Sequence, residues 1–296
     1  MKISFIVTSV DRDQELQRCI VSIEKAYEYK QDIPIEILVV IQKAKQKKDI
    51  RIRYSGITTF YYMNKIGLSV ARNFAIERST GDYLVFLDDD TAIKEDFLDV
   101  LLENILIIGA SAFCGRIIDP IENQCSATFY LRRNRKSLNH FEFIYFMGNT
   151  HVLKKSAIEK IGSYDEKFGV GAKYPGAEES DIFFRLKHQG EKIFYLPELI
   201  SFHPTYSIGS DFKRFNYSYA IGAMLVKQMC LDGKNIFIYL FIMAEIILKS
   251  FLRTLQVTFF LKSIENKNAR YQYRYILIGT LKGACDYIRM HNVYRN

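Results

Sequence analysis

Three consecutive aspartates at residues 88–90 directly follow an apolar run at residues 83–87. The run is short and rich in aromatic and β-branched side chains, and Gly81 precedes it, which predicts a buried parallel strand. Ligands of doubly wound sheets bind just beyond the carboxyl ends of the strands. Carboxylates crowded there repel one another unless a cation neutralises them, and oxygen ligands suit Mg²⁺ or Mn²⁺. The segment therefore predicts a site for a metal ion and a diphosphate, with an acidic turn that caps the next helix as the alternative.

Strand and helix patterns alternate along the first hundred residues. Strands are predicted at residues 3–7, 35–41 and 83–87, and helices at residues 16–27, 70–78 and 97–105. In the first helix, for example, Leu16, Ile20 and Ile23 recur four and three residues apart. Such alternation implies an α/β fold whose mostly parallel sheet is covered by helices on both faces.

The composition is that of an ordinary folded protein with an ample core. The 296 residues are 49% hydrophobic and 25% charged, which suits one large domain or one domain with an appendage. The five cysteines are scattered without CxxC spacing, which argues against a disulfide framework or a zinc site. The apolar stretch at the N-terminus is too short for a signal peptide, so we expect a cytoplasmic protein.

The positive charge belongs to the C-terminal part of the chain. Residues 212–296 hold 13 lysines and arginines against 4 acidic residues, whereas residues 1–211 hold 28 against 29. We therefore expect an α/β domain at residues 1–211 and a basic, apolar helical region at residues 212–296. The sequence has no aromatic RNA-binding motif or zinc finger, so an anionic membrane surface is a better partner for this region than nucleic acid.

The apolar stretch at residues 236–261 predicts a helix that lies in a membrane interface. Its polar side chains fall within about 80° of arc and form one narrow stripe, namely Glu245, Lys249, Arg253 and Gln256. The uncharged part is shorter than the roughly 18 residues that a spanning helix needs. Residues 271–290 repeat the pattern. A helical hairpin that packs on its own domain, or in a homodimer interface, is the alternative.

Five segments, in this order along the chain, resemble the family 2 glycosyltransferases, whose fold is GT-A. They are residues 4–12 (SFIVTSVDR), 64–73 (NKIGLSVARN), 81–90 (GDYLVFLDDD), 163–169 (SYDEKFG) and 176–186 (GAEESDIFFRL). They are similar, respectively, to the family's first strand with its nucleotide loop, its N-x-G-x-S-x-A-R-N segment, its D-x-D position, its F-D-E-x-F stretch and its E-D-x-D-L-x-x-R-L motif. The resemblance covers residues 3–205, so residues 1–211 would form the GT-A domain.

The resemblance implies a donor site around the aspartates. Asp90 would bind the metal and Asp88 the ribose or the metal, while Asp89 could face either way. Arg72 would contact the nucleotide, because a guanidinium forks onto phosphate oxygens. The nucleotide loop would add the donor-binding residues Thr8, Ser9, Asp11 and Arg12. A histidine completes the metal shell in some relatives, which makes His203 a candidate ligand, with a structural role as the alternative.

The resemblance also implies a catalytic base and one departure from the family pattern. An attacking hydroxyl needs a carboxylate within hydrogen-bond reach. Glu179 stands where the family usually has its catalytic aspartate, and Glu178 is the fallback. Ile41 replaces the aspartate that usually reads the nucleobase at the end of the second strand. Base recognition must then come from elsewhere, with Gln42, Asp11 and Arg12 as candidates.

The resemblance implies an inverting, metal-dependent glycosyltransferase of the bacterial surface-polysaccharide type. It would move a sugar from a nucleotide-diphosphate sugar to a hydroxyl of a glycan or lipid-linked acceptor, with Mn²⁺ or Mg²⁺, on the inner face of the cell membrane. A sugar nucleotidyltransferase is the rival enzyme, disfavoured because residues 8–12 contain no glycine. A catalytically inactive membrane scaffold is the rival from another class. The basic run at residues 132–136 is either an acceptor-phosphate site or a solvated loop.

Overall fold

The structure is a computed structural model that describes residues 1–31, 33–43, 53–54, 56–125, 134–146, 150–204, 211–259 and 267–293. The chain forms two units. The first consists of residues 1–164 with 185–205, and the second of residues 165–184 with 206–296. Arg132 and Arg133 of the basic run, and residues 260 and 261 of the predicted apolar helix, lie outside the described residues.

All ten strands of the described chain belong to the first unit. They are β1 (Ile3–Ser9), β2 (Ile35–Gln42), β3 (Thr58–Met63), β4 (Tyr83–Asp88), β5 (Ala92–Ile93), β6 (Ala112–Asp119), β7 (Gln124–Cys125), β8 (Lys136–Ser137), β9 (Thr150–Lys154) and β10 (Ile193–Phe202). The helices are α1 (Asp13–Tyr29), α2 (Leu68–Arg78), α3 (Phe97–Ile108), α4 (Lys155–Lys160), α5 (Glu178–His188), α6 (Asp211–Leu231), α7 (Ile236–Phe259) and α8 (Lys267–Val293). Short 3₁₀ helices span His140–Phe146 and Gly233–Asn235.

The strands form one mixed sheet in the order β3-β2-β1-β4-β9-β6-β10-β5. Strands β3, β2, β1 and β4 run parallel, as do β6 and β10, whereas β9 runs antiparallel to both of its neighbours. Of its two neighbours in the sheet, the acidic strand β4 is therefore parallel to β1 and antiparallel to β9. The predicted α/β class is confirmed, with a sheet that is mostly rather than wholly parallel.

Burial explains why the apolar runs of the sequence become strands. Every residue of β1 is buried, as are the five residues of β4 that precede Asp88. Leu16, Ile20 and Ile23 of α1 are 0% exposed and belong to the same core. Strands covered on both faces need no polar alternation, and the removal of apolar surface from water stabilises the sheet by about 25 cal/mol per Å².

The register of β1 and β4 sets the location of the acidic cluster. Thr8 of β1 lies opposite Asp88 of β4 in a parallel pair. The loops that follow the two strands, residues 10–12 and 89–91, therefore leave the sheet side by side. Side chains from both loops can meet there without any long-range rearrangement.

In the second unit, α6 and α8 cross at close range. Glycines occupy the contact on both helices, at Gly222 of α6 and Gly279 and Gly283 of α8. A Cβ atom added to Gly222 would collide with the carbonyl oxygen of Thr280, and one added to Gly283 with that of Tyr219. The helix backbones thus approach as closely as residues without side chains allow.

One helix among the described residues is long and apolar enough to cross a membrane. It covers Gly233–Val257, with a mean hydropathy of 1.8, and 17% of its most apolar window is buried. The sequence favoured an interfacial position because its uncharged part is short. Length and composition alone also allow a span.

Glu36 of β2 accepts hydrogen bonds from β1 and from the residues that precede β1 and β4. Its carboxylate accepts hydrogen bonds from Ser4 Oγ at 2.6 Å, from the Thr80 backbone N–H at 2.6 Å and from Lys2 Nζ at 2.9 Å. Burial by itself would raise the pKa of Glu36, but these donors outweigh it and lower the pKa to about 2. The carboxylate therefore stabilises the folded chain in its ionised form.

We predict that Glu36 contributes to stability above pH 4.5 and that this contribution is lost as the pH falls from 4.5 towards 2, because its folded pKa is lowered. After allowance for solvent screening, Glu36→Gln should lower the free energy of unfolding at pH 7 by about 1 kcal/mol. Urea unfolding at pH 7 and pH 3 measures both. The control is Glu77→Gln, whose side chain is 74% exposed beside Arg78. Parallel pH dependence of wild type and Glu36→Gln would contradict the prediction.

Candidate functional site

The two loops that leave β1 and β4 are joined by polar contacts. Ser9 Oγ donates to Asp89 Oδ2 at 2.7 Å. Arg12 Nη1 donates to Asp90 Oδ2 at 2.7 Å and to Asp89 Oδ1 at 3.3 Å. Two of the predicted donor-binding residues thus contact two of the three aspartates directly. Arg12 supplies a positive charge where the carboxylates would otherwise repel one another.

His203 reaches the same cluster from the far end of the sheet. Its Nε2 lies 3.2 Å from Asp90 Oδ1, and the two side chains are 25% and 6% exposed. The preceding residue, Phe202, pairs with Ala92 of β5, two residues after Asp90. The antiparallel β5–β10 pair therefore brings His203 to Asp90 across more than a hundred residues of chain.

The pKa values of the neighbouring carboxyls Asp89 and Asp90 are shifted in opposite directions. Burial is the largest effect on Asp89 and raises its pKa to about 6, although the Ser9 hydrogen bond and the Arg12 charge lower it. Burial also acts on Asp90, but the hydrogen bond and charge of His203 and the charge of Arg12 outweigh it and lower the pKa of Asp90. Asp90 is therefore the better anionic ligand of the two.

Asp88 has a partner of its own in Arg72. The Arg72 guanidinium Nη2 lies 3.2 Å from Asp88 Oδ1, and the side chains are 1% and 37% exposed. Its centre also lies 5.4 Å from the ring centroid of Tyr164 and 6.0 Å from that of Phe86. Arg72 is thus held inside the protein, where it orients Asp88. Its predicted contact with a nucleotide stays a prediction.

The other residues of the predicted donor site have distinct surroundings. Thr8 is 7% exposed at the end of β1, whereas Asp11 is exposed and has a left-handed backbone with φ of 54°. Asp11 is one of only a few described residues other than glycine with positive φ, and such residues concentrate at functional sites. Gln42 is 3% exposed, and its Oε1 accepts the Gly67 N–H at 2.7 Å. This contact holds the start of α2, which weakens the case for Gln42 as the residue that reads a nucleobase.

The donor atoms at this end of the sheet suit a divalent cation. Asp90 and His203 are in contact, whereas Asp88, the third predicted ligand, contacts Arg72. No group of three or more His, Cys, Asp or Glu residues that could hold a metal occurs within the described residues. Mg²⁺ and Mn²⁺ need only one or two protein ligands when substrate phosphates complete the shell. A carboxylate with an imidazole fits such an ion, and Mn²⁺ accepts the nitrogen more readily.

The two candidate bases belong to the second unit, at the start of α5. Ala177, directly before them, has φ of 63°, a left-handed conformation that is unfavourable for a residue with a Cβ. Glu178 is 5% exposed, and Glu179 is only half-buried. Of the two, Glu179 is the carboxylate that solvent and small molecules reach more readily.

The second unit also contains functional candidates that the sequence did not indicate. Lys227 and Gln228 of α6 contact Asp181 of α5. Neither residue lies in a segment that resembles a known motif. Lys227 is one of 13 basic residues in a charged region, and no local pattern distinguishes it from the others.

The chain matches the model of a known sequence family. The model of glycosyl transferase family 2 matches residues 4–164, more than half of the chain. The succinoglycan biosynthesis protein ExoM of Rhizobium meliloti is 28% identical over 138 residues, which cover 44% of this chain and 42% of ExoM. The pre-mycofactocin glycosyltransferase of Mycobacterium tuberculosis is 24% identical over 159 residues, 51% of this chain and 33% of its own. The matched segments thus span less than half of either relative.

Solved structures resemble the whole chain. The mannosyltransferase PcManGT from Pyrobaculum calidifontis, in complex with GDP-Man and Mn²⁺, aligns over 96% of this chain and 87% of its own, with a TM-score of 0.63 and 14% identity. A fragment of S. aureus TarS in complex with UDP-GlcNAc aligns over 98% and 92%, with a TM-score of 0.65 and 13% identity. At such identities the likeness speaks for the fold, and the predicted GT-A fold with C-terminal helices is confirmed.

We predict that Arg72→Met destabilises the protein by about 2 kcal/mol, because it leaves the Asp88 carboxylate without its cation and removes a buried guanidinium. Arg78→Met is the matched control on the same helix. Arg78 also lies over an aromatic ring, that of Phe74 at 3.5 Å, but its side chain is 40% exposed. Urea unfolding of both variants tests this, and equal losses would show that the Asp88 contact is not what matters.

Proposed function

Because the chain belongs to glycosyl transferase family 2, we propose that it transfers a sugar from a nucleotide-diphosphate sugar to an acceptor hydroxyl. The observation that carries the proposal is the acidic cluster at the end of β4, where Asp88, Asp89 and Asp90 each contact a different polar partner. A cluster of this kind at the carboxyl end of a parallel strand suits a diphosphate with a cation. PcManGT and TarS have been solved with GDP-Man and UDP-GlcNAc, which supports a donor of this class.

In the proposed reaction the donor half of the chemistry belongs to the first unit. The bond between the anomeric carbon and the diphosphate oxygen breaks, and the diphosphate leaves with the electron pair. Mn²⁺ or Mg²⁺ held by Asp90 and His203 would stabilise the charge that develops on the leaving group. Arg12, whose charged group is about half exposed beside Asp89 and Asp90, adds a permanent positive charge there.

The acceptor half belongs to the first turn of α5. The Glu179 carboxylate takes the proton of the acceptor hydroxyl while the hydroxyl oxygen bonds to the anomeric carbon, so that the configuration inverts. The exposure of Glu179 supports this choice over the buried Glu178. The acceptor we propose is a glycan or lipid-linked sugar, a class supported by the role in succinoglycan biosynthesis that ExoM's name states.

The surface of α7 supports attachment to an anionic membrane. Its exposed apolar side chains fall within about 120° of arc, namely Phe237, Leu240, Phe241, Leu248, Phe251 and Leu252. The residues buried in the second unit, such as Tyr239 and Ile242, lie on the opposite side of the helix. Lys249, which is 74% exposed, lies beyond one edge of the apolar face and pairs with Glu245, and its long side chain can extend towards lipid phosphates. We propose that this face holds the enzyme peripherally on the inner side of the cell membrane.

We predict release of nucleoside diphosphate when the protein is incubated with one of a panel of UDP- and GDP-sugars and Mn²⁺ or Mg²⁺. Asp90→Asn should reduce the rate about 100-fold or more because a charge-stabilising ligand is lost. Asp99→Asn, on the exposed face of α3 beside Lys30, is the matched control. Pyrophosphate release from a nucleoside triphosphate instead would favour a nucleotidyltransferase.

With an acceptor in hand, Glu179→Gln should retain donor binding but slow transfer by about 100-fold or more, because the amide cannot take the proton. If Asp90→Asn and Glu179→Gln left cellular glycan output intact while deletion of residues 234–296 abolished it, the result would favour the catalytically inactive scaffold over the proposed glycosyltransferase.

For the membrane proposal we predict that the double variant Phe241→Glu, Leu248→Glu binds phosphatidylglycerol vesicles at least about tenfold more weakly in co-sedimentation. Each substitution removes an apolar side chain that would be buried in the lipid. The control is Leu106→Glu, Ile107→Glu on α3, which also removes two exposed apolar side chains, 78% and 66% exposed. A change of oligomeric state in place of lost vesicle binding would identify the α7 face as a dimer interface. Resistance of the wild type to alkaline carbonate extraction would identify a spanning helix.

A further inference from the structure

Lys227 of α6 is the centre of a buried charged cluster in the second unit. Its side chain is 10% exposed, and its Nζ lies 2.8 Å from Asp165 Oδ2 and 2.6 Å from Asp181 Oδ1. Gln228, which is 0% exposed, donates from Nε2 to Asp181 Oδ1 at 2.7 Å. Lys227 Nζ also lies 5.2 Å from the ring centroid of Phe168. One cation thus serves two carboxylates that are sixteen residues apart in the chain.

The two carboxylates flank the segment that leads into α5. Asp165 lies in one of the segments that resemble the family, and Asp181 is in the first turn of α5. Between them the backbone adopts positive φ at Gly169 and Gly171, and again at Gly176 and Ala177 just before the helix. A chain path with several left-handed residues, one of them an alanine, persists only where surrounding contacts hold it. Lys227 provides contacts near both ends.

The contacts of Lys227 and Gln228 with Asp181 also fix the direction of Glu179, because both acidic residues belong to one helix. Successive residues are about 100° apart around the axis, so Asp181 and Glu179 project about 200° apart. When Lys227 and Gln228 draw Asp181 towards α6, Glu179 is turned to the opposite side. Glu178 and Asp181 are three residues apart and share a face, in agreement with the burial of Glu178. The anchor thus determines which of the two glutamates is exposed.

We propose that Lys227, assisted by Gln228, is a positioning residue of the transfer reaction that directs the Glu179 carboxylate through Asp181. The inference rests on the proposed function, since it assumes that Glu179 is the base. It assigns to the C-terminal helical region a part in the chemistry, in addition to any role in membrane attachment. Lysine suits the task because a compact ammonium can contact two carboxylates at once.

The test compares Lys227→Met, Lys227→Arg and the control Lys160→Met in the full-length enzyme. Lys160 is a half-exposed lysine paired with Glu191 at 3.3 Å in the first unit. We expect Lys227→Met to lower kcat by about 10- to 100-fold, with the KM for donor within about twofold of wild type, since a misplaced group costs turnover rather than donor binding. Lys227→Arg should recover part of the loss, and Lys160→Met should match wild type.

A double-mutant cycle separates positioning from general loosening. In the Glu179→Gln background, Lys227→Met should lower kcat by less than about twofold, because residues that act through one group are not additive. Full additivity, or a loss that falls on the KM for donor, would overturn the inference. If Lys227→Met fails to fold, Gln228→Leu takes its place in the same cycle, with an expected loss in kcat of about 3- to 10-fold.

The outcomes distinguish this inference from the proposed function. An active wild type with an inactive Glu179→Gln and a fully active Lys227→Met would overturn the positioning role alone. A wild type that releases no nucleoside diphosphate from any donor, or a Glu179→Gln variant as active as wild type, would overturn the proposed function and the positioning role with it.

Discussion

The constraint on which this structure depends is the crowding of three carboxylates at the end of one strand. Adjacent aspartates cannot all be ionised in a half-buried loop unless each finds separate compensation. The chain distributes that compensation: Asp88 contacts Arg72, Asp89 accepts from Ser9, Asp90 lies beside His203, and Arg12 contacts both Asp89 and Asp90. These partners come from different elements, so the cluster holds the carboxyl edge of the sheet together. Burial raises the pKa of Asp89 to about 6, whereas His203 and Arg12 lower the pKa of Asp90, so the two neighbours differ in acidity.

The second unit also contains two carboxylates that share a cation. Lys227 contacts both Asp165 and Asp181, Gln228 donates to Asp181, and the Lys167 backbone N–H donates to Asp165. Asp181 is buried and Asp165 is 25% exposed, and two such carboxylates that share one lysine depend on a fixed geometry and on hydrogen bonds from their neighbours. Such a cluster specifies one conformation of the segment between the two aspartates. A segment with several left-handed residues needs that kind of restraint.

Apolar runs predicted β1, β2 and β4, but no prediction covered β3 or the strands that follow β4, for a physical reason. Strands β1, β2 and β4 are continuous apolar runs because both of their faces are buried, and such runs are recognisable one at a time. Strand β9 is also buried, but it begins with the polar residues Thr150 and His151 and so lacks a continuous apolar run. Its antiparallel position in the sheet depends on partners that are distant in the chain. The candidate site likewise combines residues that the sequence indicates with contacts that it does not. Residue type singled out the aspartates, and the resemblance to the family singled out Arg72 and His203, but their pairing depends on contacts between residues far apart in the chain, which no local pattern contains.

The charge of the C-terminal region shows how composition can mislead about location. Its excess of lysine and arginine suggests a surface that meets anionic lipid, yet these residues are not one population. Lys227 is buried and neutralised by two aspartates, so it adds nothing to the field at the surface. Lys249, by contrast, is 74% exposed near one edge of the apolar face of α7, where it pairs with Glu245. Only charges of the second kind attract a membrane, because the attraction falls off within about 10 Å in physiological salt. The affinity of the helical region for lipid should therefore depend on the exposed residues of α7. The net charge of the region overstates that affinity.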